Sequence, residues 1–597
     1  MATRAPLEGR QFQDNWAGTR TSGGETYLRT LSGFAPTDQA RLLRVELVGA
    51  SVLEHRVDVR LNGLLLGTVR FDAWTTRSGT FALPGPAPDP QGAYTLGLTL
   101  LASEESPANA MHYLSARLYY GSQPTFDGQP QFLPCLESQE RSFTFLGASP
   151  WPAVWDITDP LEPTSVGLVA GAEGPLLPAF VPGHQYYAFD PEQPLEAEGL
   201  LPLGDREEVL GQQGDLIIVT PAVFEEALEP LIAKRLAEGW TPVVRSPREL
   251  FQAFSGGQPS PEAIRAYLLE ALATWTDIPP RALLLVGDAT PDRYGDPRPE
   301  GRIFTPTNFV WYGAEDLWFS SDLAYLFPPG QDLAPGQQPL PLAIGRLPAR
   351  QVEELGAAVD RILQYQTPGQ GRGFLYLSDD NNAGLFQVLS AQIRDLLPDW
   401  FGATVLDLTA FALEYPMPDP PPASQYDKPA VVAMRLALRE ALEAGQWVVQ
   451  YFGHGDLYHI SGEGLLSQTP NYDNLDEVLV HGGLPPIFLA YNCLSGYFAH
   501  PLVARSIGEA MVLLTRADRG VAASISPAAY TEPLMMVALA SRLQGHLSSG
   551  DGGTLGEALA SSVLDLLVQP GEAFDPATVD LGILSFNLMG DPSLPVP

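Results

Sequence analysis

Cysteine is almost missing: Cys135 and Cys493 are the only two in 597 residues. Two cysteines exclude a disulfide framework and a cysteine-based zinc site. A Cys135–Cys493 bridge would have to join segments that read as separate domains, so none is expected. Lysine is equally scarce, at Lys234 and Lys428, and the 34 bases, otherwise arginines, face 70 acids for a net charge of −36. A field this negative repels phosphate backbones and excludes nucleic acid as a partner. It favours solubility and could supply carboxylates for a structural calcium, although no EF-hand loop is present. No run reaches the roughly 20 apolar residues of a membrane span. Met1 to Gln13 contain charges and no apolar core, so no signal peptide is visible.

What is present reads as several domains, because one core does not grow to this length. Residues 1–138 alternate apolar and polar positions in short runs such as His55 to Leu61 and Tyr94 to Leu100, with an Asn62-Gly63 turn signal. That pattern predicts an all-β sandwich or jelly roll. His55 and His112 fall in strand-like runs and read as structural. Residues 139–208, rich in proline and glycine, read as a small β element or linker. Apolar strands then alternate with helix-period segments, the mark of an α/β layer with a mostly parallel sheet. Asp215 to Thr220, Thr241 to Val244 and Ala282 to Val286 are expected strands. Helices are expected over Phe224 to Glu238 and Ser260 to Trp275. This first α/β unit, 209–370, contains an irregular insertion from Pro291 to Pro339. A second unit, 371–597, begins with the strand Phe374 to Leu377.

Two strands of the second unit carry chemistry. Trp447 to Phe452 ends in Gly453-His454-Gly455, and Pro486 to Tyr491 ends in Asn492-Cys493. In an open parallel sheet the residues past the carboxyl ends of the strands line the ligand crevice. One imidazole and one thiol therefore project into one crevice. A nearby histidine raises the thiolate fraction and can protonate a leaving amine. The backbone N–H groups of Gly455 and Cys493 are the candidate oxyanion donors. Flanking glycines read as clearance for substrate. The plainer reading of the same residues is a turn histidine and a small buried hydrophobe. His459 is the alternative base; His481 and His500 read as solvated turn residues.

The text around these residues resembles the gingipain family within the caspase-like cysteine peptidases. The resemblance is carried by Tyr451-Phe452-Gly453-His454-Gly455, Tyr491-Asn492-Cys493-Leu494-Ser495-Gly496, Ser506-Ile507-Gly508-Glu509-Ala510, Leu284-Leu285-Val286-Gly287-Asp288 and the closing Gly590-Asp591-Pro592-Ser593-Leu594. It implies a two-subdomain α/β caspase-like unit acting as a cysteine endopeptidase on protein or peptide substrates, with Cys493 as nucleophile and His454 as base and acid. No cofactor is required for that chemistry. An acid after the first strand of the second subdomain supports the histidine in such enzymes. That place falls on Asp380, with Asp379 as the fallback; as plain residues the two are turn and N-cap formers. Where Arg-specific members carry a pocket Asp, Phe386 stands, which predicts no strong preference for arginine. Glu509 reads as structural.

Two further readings stay open. Transfer of the acyl group to an amine would make the protein a sortase-like transpeptidase of exported proteins. Alternatively, a degenerate peptidase scaffold could serve as a surface-binding protein. The N-terminal β-domain is a candidate for binding a surface glycan or protein. An extracellular or cell-surface location is expected, on a chain read as truncated or processed.

Overall fold

The computed structural model describes residues 7–597 apart from 14–19, 23–25, 33–38, 50–53, 73–75, 102–109, 122–125, 127–130, 135–140, 193–203, 291–304, 313–316, 328–338, 368–372, 569–581 and a few isolated positions. Cys135 lies outside the described residues. The chain divides into two compact units, Met1–Leu201 and Pro202–Pro597.

The first unit is all-β. A sheet of Leu7–Gln13, Ala110–Gly121, Gln39–Gly49 and Thr76–Ala82, with Arg20–Ser22 added, and a second of Thr26–Ser32, Ala93–Leu100, Glu54–Leu61 and Leu64–Asp72 share one core. Leu43, Val45 and Leu47 supply it from one sheet, and Val57, Val59, Leu96 and Leu98 from the other. The alternation seen in the sequence is thus the inward face of a sandwich. Asn62 and Gly63 both have positive φ (50° and 80°), as a tight hairpin turn requires. His55 is buried and stacked on Phe71, and His112 lies within Ala110–Gly121. Residues 131–189 form two further small antiparallel sheets around Phe143, Phe145, Leu177 and Tyr186.

The second unit is built on one ten-stranded sheet. In chain order its strands are β1 (Leu216–Val219), β2 (Pro242–Arg245), β3 (Ala282–Val286), β4 (Ala343–Leu347), β5 (Gly373–Ser378), β6 (Gly402–Asp407), β7 (Val448–Phe452), β8 (Ile487–Tyr491), β9 (Ala523–Pro527) and β10 (Phe586–Met589). Their spatial order is β2-β1-β3-β4-β10-β9-β8-β7-β5-β6. All pairs are parallel except β9 with β10. The central strands are buried at every position, since helices cover both faces. Helix starts follow local chemistry: Ser246 and Glu249 form a capping box ahead of Pro247, and Ser260 caps the helix Pro261–Thr274.

β10 joins the two half-sheets, and buried ion pairs fix it there. Arg346, fully buried on β4, makes a fork to Asp322 (Nε–Oδ2 2.6 Å, Nη2–Oδ1 2.8 Å) and donates to the carbonyls of Gly287, Thr305 and Pro306. Asp322 lies just past the hairpin Asn308–Tyr312/Leu317–Ser321, a regular element within the insertion. Arg235 likewise reaches buried Asp591 at 2.7 Å, and Asp591 also accepts from the backbone and hydroxyl of Ser593. Removing one partner of such a pair strands the other charge out of water. Arg346→Ala should therefore lose about 3–5 kcal/mol of stability in denaturant unfolding.

Candidate active site

β7 and β8 are adjacent and parallel, paired from Val448 with Ile487 to Phe452 with Tyr491. The Gly453 N–H donates to the Tyr491 carbonyl at 3.3 Å and carries the pairing one step past the strands. His454 and Cys493 each stand two residues beyond that last pair. Since paired strands run about 4.8 Å apart, the two residues emerge side by side from one end of the sheet. His454 is exposed, Cys493 is half-buried, and its sulfur is in no disulfide among the described residues.

The loop after β8 is sewn to the segment that follows β9. Leu494 N–H donates to Ala529, Gly496 N–H to Pro527, and the Thr531 hydroxyl to the Asn492 carbonyl. The Cys493 Sγ lies 3.9 Å from the Thr531 carbonyl oxygen. Leu494 is held at φ 59°, a left-handed conformation that costs a non-glycine residue of order 1–3 kcal/mol. The stitching bonds are what hold it there.

The glycines beside His454 have structural neighbours of their own. A Cβ on Gly455 would collide with the Asn492 amide, and one on Gly453 with the Tyr451 hydroxyl and the Asp379 Cβ. Clearance for substrate is therefore not their whole reason. Gly455 also bridges to Ile460 through bonds made by its neighbours, Ser461 N–H to His454 and Asp456 N–H to His459. In that pattern the N–H of Gly455 itself faces away from Ile460.

Three carboxylates cluster at the end of β5, one of them against the His454 backbone. Asp379, at the end of β5, is buried; its Oδ2 accepts from the His454 backbone N–H (3.1 Å) and lies 3.0 Å from the Tyr451 hydroxyl. Asp380 is half-buried, and its Oδ1 is enclosed with no hydrogen-bond partner among the described residues. Burial, and then the neighbouring acids, raise the pKa of Asp380; burial also raises that of Asp379. Oxygens of Asp379, Asp380 and Glu463 lie within 4.8 Å of one another, three of the six to eight ligands a calcium ion takes. The positive charge beside them is Lys428, whose Nζ is 3.3 Å from Glu463. Phe386, buried on the helix Leu385–Arg394, meets the His454 ring edge-on, with centroids 5.3 Å apart. Among the described residues no hydrogen bond reaches the His454 ring.

The other histidines are placed differently. His459 lies between Asp456 (Nδ1–Oδ2 3.0 Å) and the Tyr426 hydroxyl (Nε2 3.0 Å), so both ring nitrogens are engaged. His481, expected in solvent, is buried instead, and burial pushes its pKa down. The apolar segments around it enclose the turn in which it sits. His500 is half-buried and edge-on to Tyr497. Glu509 closes a capping box with Ser506. The Tyr451 hydroxyl, the Lys428–Glu463 pair and the loop Ala528–Glu532 with exposed Tyr530 have no role assigned from sequence. Only Lys428, one of two lysines, carried a compositional signal.

The model of peptidase family C25 matches residues 210–597. The chain belongs to this family, that of the gingipains. The family is one of cysteine-type peptidases. Among solved structures it is similar to dimeric latent PorU from Porphyromonas gingivalis (18% identity, TM-score 0.43), covering 61% of this chain and 38% of that one. It is also similar to the Arg-specific cysteine proteinase gingipain R, RgpB (14%, 0.44, covering 66% and 80%). A complex of the P. gingivalis RgpB pro- and mature domains gives 15%, 0.43, and 64% and 80%. The chain thus spans well under half of the PorU chain. No curated protein sequence matches it.

Two expectations follow for this C25 peptidase. Gly455→Ala should displace Asn492 and lower kcat at least tenfold in a peptide-cleavage assay, with secondary structure retained. Glu509 is buried beside Asp288, and its pKa is raised from 4.5 to about 7, burial first and the Asp288 charge second. The folded state keeps a proton that the unfolded state releases, so this contribution is complete below pH 4.5 and is lost as pH rises to 7. Glu509→Gln should gain thermal stability relative to wild type on going from pH 5 to pH 8.

Proposed function

We propose that this C25 peptidase is an endopeptidase working through Cys493 and His454, with Asp380 as the supporting acid and no strong preference for arginine. The observation that carries the reading is the β7–β8 register, which puts Cys493 and His454 two residues beyond the same rung on neighbouring strand ends. The imidazole takes the thiol proton, and the thiolate attacks the scissile carbonyl carbon. The N–H groups of Gly455 and Cys493 receive the oxyanion. The imidazolium then protonates the departing amine, leaving an acyl-enzyme and a neutral histidine. Water, activated by the same imidazole, completes hydrolysis and frees the thiol.

Asp380 suits the supporting role because its half-buried carboxyl has an oxygen without a partner among the described residues. Phe386, apolar and packed on the base, offers no charge to a guanidinium and marks the side on which an uncharged substrate side chain would rest. An extracellular or cell-surface location suits an acidic, lysine-poor peptidase. Among the described residues no helix is long and apolar enough to cross a membrane. The N-terminal sandwich is assigned to binding a surface glycan or protein. Catalysis needs no cofactor in this scheme.

Cys493→Ala should abolish cleavage, and iodoacetamide should label Cys493 in the native protein with a pH dependence set by His454. A mixed peptide library with an added amine, read by mass spectrometry, should show hydrolysis without dominant cutting after arginine. Amine-capped products would establish transpeptidation instead, and dominant cleavage after arginine would overturn the pocket assignment.

A further inference from the structure

His454 lies past the last ladder pair of β7, and the one backbone bond given for it is the Ser461 N–H to its carbonyl at 3.0 Å. Two side chains add to that hold. The Asp379 carboxylate, from the end of β5, accepts from the His454 N–H at 3.1 Å. The Tyr451 hydroxyl lies 2.8 Å from the His454 carbonyl oxygen and 3.0 Å from Asp379 Oδ2. Asp379 is itself fixed, its N–H donating to the Phe452 carbonyl and its Oδ1 accepting from the Asp380 N–H at 3.0 Å. We propose that Asp379 and Tyr451 form a two-sided clamp on the His454 peptide that positions the base for the thiol. The proposal rests on the Cys493–His454 reading and deepens it.

Both polar ends of one residue are gripped by side chains that touch each other, and both side chains are buried. The clamp also accounts for Gly453, because the volume its side chain would need is filled by the Tyr451 hydroxyl and the Asp379 Cβ. With the backbone fixed, the exposed imidazole keeps freedom only about its side-chain torsions, and the edge of Phe386 limits those. Asp379 thus differs in kind from a triad acid. Its oxygen meets the amide of the histidine, not the ring, so its charge is dispensable while its acceptor is not. An acid acting on the ring would behave oppositely, since an Asp→Asn change there sets the wrong tautomer. Asp379 and Tyr451 are positioning residues.

The test compares Tyr451→Phe, Asp379→Asn and Asp379→Ala in kcat, KM, the pH profile of kcat/KM and melting temperature. Misplacing a catalytic group by about an ångström costs on the order of a hundredfold. Tyr451→Phe and Asp379→Ala should lower kcat by about 10- to 100-fold with KM near wild type. Asp379→Asn keeps one oxygen, which serves the His454 N–H only by giving up the Asp380 N–H, so it should retain more activity than Asp379→Ala, with the acid limb of the profile unmoved. Wild-type kcat in Tyr451→Phe, or an Asp379→Asn as impaired as Asp379→Ala, overturns the clamp. If Asp379→Ala does not fold, Tyr451→Phe and Asp379→Asn decide: Tyr451→Phe at wild-type kcat, or a folded Asp379→Asn at or below about one-tenth of it, overturns the clamp. Failure of the dyad itself reads out separately, as cleavage that survives Cys493→Ala.

Discussion

The site depends on the pairing of β7 with β8. A one-residue slip in a strand turns every side chain to the opposite face. Here the fully buried sequences Val448–Phe452 and Ile487–Tyr491 allow one alignment, in which Phe452 faces Tyr491 and the two rings stack 4.6 Å apart. The Gly453 bond to Tyr491 then carries that alignment to the foot of the catalytic pair. The positions of His454 and Cys493 are thus set by packing below the crevice before any residue within it contributes.

The first half-sheet takes part in this too. Phe498, in the loop after the nucleophile, lies over the Arg346 guanidinium at 5.0 Å, and the Tyr497 hydroxyl donates to the Trp318 carbonyl. Arg346 in turn holds Asp322 and three backbone carbonyls. The Cys493 loop therefore rests on the β4 end and on the 308–321 hairpin. Its left-handed Leu494 is sustained by bonds from beyond β9. The site spans two half-sheets because the Cys493 loop is braced from both, while His454 is held from β5.

Much of this was legible in the sequence, and the reasons differ by residue. The sheet strands announce themselves as apolar runs because they are buried on both faces, and Ser246 and Ser260 mark helix starts through their caps. The end-of-strand rule found His454 and Cys493. By contrast, β6 is exposed over much of its length and lacks the apolar run that marks the others. β10 is short and antiparallel to β9, and pairs with β4 only at Arg346 and Met589. The closing Gly590-Asp591-Pro592-Ser593 was noticed as text, but its function is a long-range one: Asp591 neutralises Arg235, a partner that no local pattern names. Tyr451 was read as one more core aromatic, and its hydroxyl acquires meaning only when β5 is placed beside β7.

The paired aspartates differ in their partners. Both follow the end of β5 directly, and their carboxylates converge with that of Glu463 within 4.8 Å. Asp379 turns inward to the Tyr451 hydroxyl and the His454 amide, is 1% exposed, and stays fixed by the bonds it makes. Asp380 turns toward Glu463, where the neighbouring acids add to burial in raising its pKa and Lys428 lowers it. A carboxyl held by backbone donors is suited to fixing geometry. One with an oxygen left over, in a field its neighbours tune, is suited to acting on a ring. Sequence alone offered the two as alternatives for a single task, whereas their different partners suit them to different ones.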